Sequence, residues 1–216
     1  MIAKKDYLQK TDYILYQELS MYHFNSDTSL LGEFIDIGSK DSVLDIGCNN
    51  GALLLYAAKH NPKKLVGVDL YDEVLDIAKM NLNLNHVEAS LYCTKIQDFS
   101  YTQFDKIICN PPYFHSTNKK LMNENDYIRC ARHEEFLPMN ELFASVKRLL
   151  KDSGKFYYVH RPFELNRIQQ NLIENDMRIK KLQIYYDKNT LKARTICMEI
   201  VKGVSTEIEI KMPIFL

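Results

Sequence analysis

The sequence predicts an open α/β sheet, mostly parallel, with helices wound on both faces. Short apolar, β-branched runs at 42–46, 64–69, 89–93, 104–109 and 154–159 alternate with helix-forming stretches, the pattern of successive strand–helix–strand units. Four successive runs are each closed by a polar residue, Asp45, Asp69, Asp98 and Asn110. In such sheets ligands sit beyond the carboxyl ends of the strands. Two final runs, Arg178 to Tyr186 and Lys192 to Val201, flank Asp187-Lys188-Asn189-Thr190 and read as an antiparallel pair that closes a seven-stranded sheet.

Taken in order, Tyr13 to Leu19 and then Met21 to Phe24 suggest a short hairpin or extended arm. Asn25-Ser26-Asp27 supplies a helix N-cap, with an amphipathic helix from Thr28 to Ile37 stopped by Gly38. The division expected is an arm and helix over 1–40, placed against a core domain over 41–216. Ser42 to Ile46 is the first core strand, Ala52 to Lys59 a strong helix former, Lys64 to Asp69 a strand and Glu73 to Leu84 a helix. Ala89 to Cys93 and Phe104 to Cys109 are strands. Residues 115–138 lack a clear period, and loops of that length are usually functional. Met139 to Leu150 returns to helix, Gly154 to Val159 to strand and Pro162 to Glu174 to helix.

With 216 residues, 46% of them hydrophobic, the chain is long enough to bury one substantial core. No apolar run approaches the roughly 18 residues of a membrane span, and the first residues lack the apolar core of a signal peptide. The five cysteines are scattered and nowhere spaced as C-x-x-C, which argues against a disulfide framework or a zinc site. A cytoplasmic, metal-free monomer is therefore expected. Basic and acidic residues balance at 28 each, so any nucleic-acid contact must come from local clusters. Such clusters occur at Lys119-Lys120, Arg129 to Arg132, and Arg178 to Arg194.

The most informative stretch is Asn110-Pro111-Pro112-Tyr113, directly behind an apolar strand. Two prolines fix the backbone and remove two amide donors, leaving carbonyls aimed in set directions. An Asn side-chain oxygen and a rigid carbonyl at a strand end form a cradle for an amino group, with Tyr113 as a stacking face. A planar, NH2-bearing molecule such as adenine suits it. Asp45-Ile46-Gly47-Cys48-Asn49-Asn50-Gly51 is a strand, a glycine turn and a helix start, yet neither a dinucleotide fingerprint nor a phosphate loop. Asp69, with Leu70 beside it, is placed to accept ribose hydroxyls; Asp98 is placed to accept from an adenine amino group with Phe99 near the ring. Singly each acid reads as a cap. Together, after a glycine turn, they read as a site for a nucleoside without phosphate.

The order Asp45-x-Gly47-x-x-x-Gly51, Asp69, Asp98, Asn110-Pro-Pro-Tyr113 resembles the class I S-adenosylmethionine-dependent methyltransferases that act on amino groups. One departure is Asn49, where the family has its middle glycine; Asn tolerates left-handed backbone better than most residues. With Phe24-Asn25-Ser26-Asp27-Thr28-Ser29-Leu30-Leu31 and Ala131-Arg132-His133-Glu134, the chain further resembles the bacterial tRNA(Val) (adenine-N6)-methyltransferase family. That resemblance implies a Rossmann-like methyltransferase domain, S-adenosylmethionine as cofactor with S-adenosylhomocysteine as product, and tRNA as partner. It implies catalysis at Asn110, Pro111, Pro112 and Tyr113. Asp45, Gly47, Asn49, Gly51, Asp69, Leu70, Asp98, Phe99 and Asn110 would hold the cofactor. Phe24, Asp27, Phe114, Arg132, His133, Lys192 and Arg194 would face the substrate. Two other classes fit the same cradle. A protein glutamine methyltransferase would normally carry an additional N-terminal helical domain, and a DNA adenine methyltransferase a separate target-recognition domain; neither is visible here. A non-catalytic cofactor-binding subunit is a third reading, against which the intact Asn110 to Tyr113 speaks.

Overall fold

The computed structural model describes residues 3–18, 25–111, 137–203 and 207–216. Its core is built on β3 (Ser42–Ile46), β4 (Lys64–Asp69), β5 (Ser90–Cys93), β6 (Phe104–Cys109), β7 (Leu150–His160), β8 (Met177–Tyr186) and β9 (Ala193–Lys202). They lie in the order β8-β9-β7-β6-β3-β4-β5. All neighbours from β5 to β7 run parallel, and β9 lies antiparallel between β7 and β8. The mixed α/β sheet with its antiparallel C-terminal pair is as the sequence predicts.

Consecutive residues of the central strands face opposite layers, which is why apolar residues occur next to one another along them instead of strictly alternating with polar ones. Ile107, Phe156 and Tyr158 enter one core with Phe143, Val146 and Ile168. Ile108, Tyr157 and Val159 enter the other with Leu31, Leu54, Leu55 and Tyr56. The first layer is covered by α4 (Met139–Leu149) and α5 (Leu165–Glu174), the second by α1 (Ser26–Phe34) and α2 (Ala52–Ala58). α3 (Asp72–Leu84) follows β4 and adds Leu75 and Leu82 to the second layer. Asn25 caps α1 by accepting from the amides of Asp27 (3.0 Å) and Thr28 (3.3 Å). The helix ends at Phe34, since Ile35 is extended, so Gly38 is not its stop.

Other elements also differ from the sequence reading. The N-terminal hairpin pairs β1 (Ala3–Tyr7) with β2 (Ile14–Glu18), one strand earlier than expected; residues 21–24, assigned above to its second half, lie outside the described residues. β1 is missed because Lys4, Lys5 and Asp6 dilute its apolar pattern. Pro162–Glu164 forms a single 3-10 turn, and the α-helix begins only at Leu165. Two short strands, β10 (Glu209–Ile210) and β11 (Ile214–Phe215), add in parallel to the outer edge of β8.

α1 lies close on α2 because Gly32 has no side chain. A Cβ there would run into the ring of Tyr56, which is 1% exposed and has no room to retreat. Gly32→Ala is expected to cost about 2–3 kcal/mol through overpacking, measured as a lower urea midpoint with unchanged slope.

Candidate active site

The strand order reverses at β3, whose neighbours are β4 on one side and β6 on the other. The parallel strands bring Ile46, Val68 and Cys109 level across the sheet, so the turns that follow β3 and β6 diverge over a common crevice. The turn after β3 carries Gly47 to Gly51; the turn after β6 opens with Asn110 and Pro111.

The glycine turn is drawn across the end of β4. The amides of Gly47 and Cys48 both donate to the carbonyl of Val68, at 2.9 and 3.1 Å. The amide of Asn49 donates to Oδ2 of Asp69 at 2.9 Å, and that of Leu70 to Oδ1 at 2.7 Å. Gly47, Asn49 and Gly51 all adopt positive φ, at 70°, 46° and 83°. Asn49 thus takes up the left-handed conformation that its position requires, with its amide tied to a carboxylate. Asp45 is completely buried, and neither of its oxygens has a hydrogen-bond partner among the described residues. Burial, and then the negative charge of Asp69, push the Asp45 carboxyl well above the usual carboxylate range. The buried thiols of Cys48 and Cys109 are pushed up for the same reasons, burial first and nearby carboxylate charge second.

Across the crevice, Asn110 is half-buried and its Nδ2 donates to Thr28 Oγ1 at 2.9 Å. The start of α1 is anchored in turn. Asp27, 1% exposed, accepts from Thr195 Oγ1 at 2.8 Å and pairs with Arg161 at 3.0 Å. Arg161 also donates to Thr195 Oγ1 (3.1 Å), and Arg194 donates to Ser26 Oγ (3.3 Å). This corrects the expectation for Asp27: its carboxylate is spent on an internal ion pair that ties α1 to β7 and β9, rather than offered to a substrate. Lys192 and Arg194 are exposed on the same side. Thr28, Arg161 and Thr195 were missed. The one available signal was that Arg161 immediately follows the fifth core strand, at the edge where Asp69 and Asn110 stand.

Asp98 does not close a strand, as the sequence suggested. β5 ends at Cys93, and Thr94 continues it, donating its amide to the Asp69 carbonyl at 2.9 Å. Asp98 lies five positions further on, exposed in a turn. That turn buries Ile96 and Phe99 in the apolar layer, where the Phe99 ring stacks on Tyr101 (5.5 Å between centroids, 13° between planes). Arg148 holds it there by donating to the carbonyls of Phe99 (2.8 Å) and Ile96 (3.0 Å). Phe24, Pro112, Tyr113, Phe114, Arg132 and His133 lie outside the described residues, as does most of 115–138. Among the described residues no group of His, Cys, Asp and Glu could hold a metal ion, and no helix is long and apolar enough to cross a membrane.

The methyltransferase small domain family matches residues 19–186. A tRNA1(Val) (adenine(37)-N6)-methyltransferase of Dyadobacter fermentans is 29% identical over 169 residues, 76% of this chain and 69% of that protein. One of Aliivibrio fischeri is 29% identical over 65% of this chain and 60% of its own length. The matched stretch spans between 54% and 69% of the length of the curated relatives compared. Among solved structures, a putative RNA methyltransferase of Pyrococcus horikoshii shares the fold with a TM-score of 0.62 at 17% identity, over 91% of this chain and 95% of that one.

The buried Asp45 makes stability depend on pH in a definite direction. Its folded value is raised, so above the ordinary carboxylate range of about 4 the unfolded chain has released a proton that the folded chain still holds. Stability therefore falls as pH rises through that window. Asp45→Asn is expected to raise the melting temperature of the ligand-free protein at pH 8 by roughly 2–4 °C, the shift that about 1 kcal/mol makes in a chain of this length. The difference should shrink towards pH 4, as thermal scans across pH would show.

Proposed function

Because the chain belongs to the methyltransferase small domain family, we propose that it transfers a methyl group from S-adenosylmethionine to the exocyclic N6 amine of an adenine in tRNA, next to the anticodon of tRNA(Val), in the cytoplasm. The observation that carries this is the pairing of two features across the strand-order reversal: the Gly47–Gly51 turn with its carboxylates on one side, and Asn110-Pro111 on the other. The named relatives, all tRNA1(Val) (adenine(37)-N6)-methyltransferases, support the choice of substrate.

The residues present fit the cofactor. The turn leaves open space at Gly47, where backbone can approach a ligand without an intervening side chain, and a buried carboxyl group, Asp45, lies just beneath it. Asp69 would receive the ribose hydroxyls, since a carboxylate offers about four acceptor sites and the amides of Asn49 and Leu70 hold this one in a fixed orientation. Bound S-adenosylmethionine would supply a methyl group made electrophilic by its sulfonium. The Asp69 carboxylate favours a cation over the neutral product.

An adenine amine is a poor nucleophile because its lone pair is delocalised into the ring. Asn110 Oδ1 and the Pro111 carbonyl would accept its two hydrogens and favour a pyramidal nitrogen with the lone pair turned towards the methyl. The bond from Nδ2 to Thr28 Oγ1 fixes the plane of that amide. Those bonds strengthen as positive charge develops, which is where stabilisation raises rate. Alignment of nitrogen, methyl and sulfur carries much of the rest. No strong general base is needed, because the methylated ammonium is acidic. Tyr113 and Phe114 would stack on the extruded base, worth about 1–3 kcal/mol, with Arg132, His133, Lys192 and Arg194 available to phosphates.

Incubation with labelled S-adenosylmethionine and separate pools of tRNA, DNA and protein tests the assignment; label confined to DNA or protein would refute it. Asn110→Ala should lower kcat by about 10²–10³ while cofactor affinity, measured by calorimetry, changes little. Asp69→Ala should show the reverse emphasis, weakening cofactor binding by at least about tenfold through the loss of charged hydrogen bonds.

A further inference from the structure

α3 presents Asn81, and its C-cap residue Asn85, to the outer edge of β2. In an antiparallel pair alternate residues turn both backbone groups away from the partner strand. Ile14 and Tyr16 are those residues in β2, and their groups would ordinarily await another strand. Side-chain carboxamides take that place. Asn85 Oδ1 accepts from the Ile14 amide (3.0 Å) while its Nδ2 donates to the Ile14 carbonyl (2.6 Å). Asn81 does the same to Tyr16, at 2.7 and 2.9 Å. A carboxamide has the donor and acceptor of a peptide group. The rise of four helical residues, about 6 Å, nearly equals the spacing of two strand residues, about 6.8 Å.

The two asparagines differ in their remaining N–H. That of Asn85 goes to the main-chain carbonyl of Asn81 (2.7 Å), within its own helix. That of Asn81 goes to the main-chain carbonyl of Asn50 at 2.9 Å, inside the glycine turn. Asn81 is fully buried and its amide is committed at both ends: an obligate donor faces its oxygen, and two obligate acceptors face its nitrogen.

We propose that Asn81 is a positioning residue for methyl-donor binding: it holds the carbonyl of Asn50, and with it the Gly47–Gly51 turn, against the N-terminal hairpin. The hairpin then contributes to the cofactor site through Asn81. The turn needs such a hold because three of its five residues have positive φ, a conformation that local sequence alone does not enforce. This inference rests on the turn being the donor site.

Calorimetry with S-adenosylhomocysteine on the full chain tests it, with Asn85→Ala as the variant that loosens the hairpin alone. Asn81→Ala is expected to weaken binding by about tenfold and Asn85→Ala by less than about threefold, each judged against the loss of a single buried hydrogen bond. Hydrogen exchange at the amides of Asn49 and Gly51 should quicken in the first variant and not in the second. Equal affinities and equal exchange in the two variants would overturn the proposal. Should Asn81→Ala fail to fold, Asn81→Asp replaces it: it keeps the side chain's shape and the oxygen that accepts from Tyr16 but loses the N–H that holds the Asn50 carbonyl. Unchanged exchange at Asn49 and Gly51 in that variant would equally overturn the proposal. If the wild-type chain itself bound no S-adenosylhomocysteine, the donor-site reading would fail, while the exchange comparison would still decide the clamp.

Discussion

One carbonyl, that of Val68, accepts the amides of both Gly47 and Cys48, and the neighbouring carboxylate of Asp69 accepts the amide of Asn49. These three bonds pull the chain leaving β3 sideways over the end of β4. α2 then starts at Ala52, and every residue from Ala52 to Ala58 is buried. Two consequences follow from that sideways step. Asp45 is sealed beneath the turn without a described partner, and the carbonyl of Asn50 is brought to Asn81 on α3. An amide–carboxylate bond in such a dry setting is stronger than its neutral counterpart, so the turn stays in shape despite its left-handed residues.

The opposite wall of the crevice is built differently. Asn110 leaves β6 with its amide nitrogen engaged by Thr28, whose helix is fastened to the sheet by the buried Asp27–Arg161 pair and Thr195. A buried ion pair is weak evidence of net stability, because desolvation offsets its attraction. Its value here is positional: guanidinium and hydroxyl fix the start of α1 relative to β7 and β9 at once. One wall is thus set mainly by backbone geometry and the other by side-chain charge.

Much of this was legible in the sequence for a physical reason. Strands buried on both faces need predominantly apolar, β-branched runs, and Ser42 to Ile46, Lys64 to Asp69 and Phe104 to Cys109 show them with their bounds unchanged. The turn after β3 was legible because glycine is the usual solution to positive φ, with Asn49 the next best. Asp98 was placed at a strand end because no glycine or proline between Cys93 and Asp98 marks where β5 stops. Asp27 misled because N-cap chemistry explains an acid at a helix start without revealing Arg161, which lies far along the chain. Asn81 and Asn85 gave no signal at all: an asparagine four residues from another on a helix acquires meaning only once a strand lies across it.

β10 and β11 have a bearing on how the molecule coexists with copies of itself. The outer side of β8 would offer a long ladder of unanswered amides and carbonyls, an invitation to intermolecular pairing. Instead Lys211 donates to the carbonyl of Leu182 at 2.9 Å and Leu216 to that of Tyr186 at 2.8 Å, with Pro213 interrupting the segment between the two short strands. The new margin is broken by a residue with no N–H and flanked by the Lys181–Glu209 and Lys211–Glu209 charge pairs. A sheet bordered in this way offers a stranger's strand little to grip.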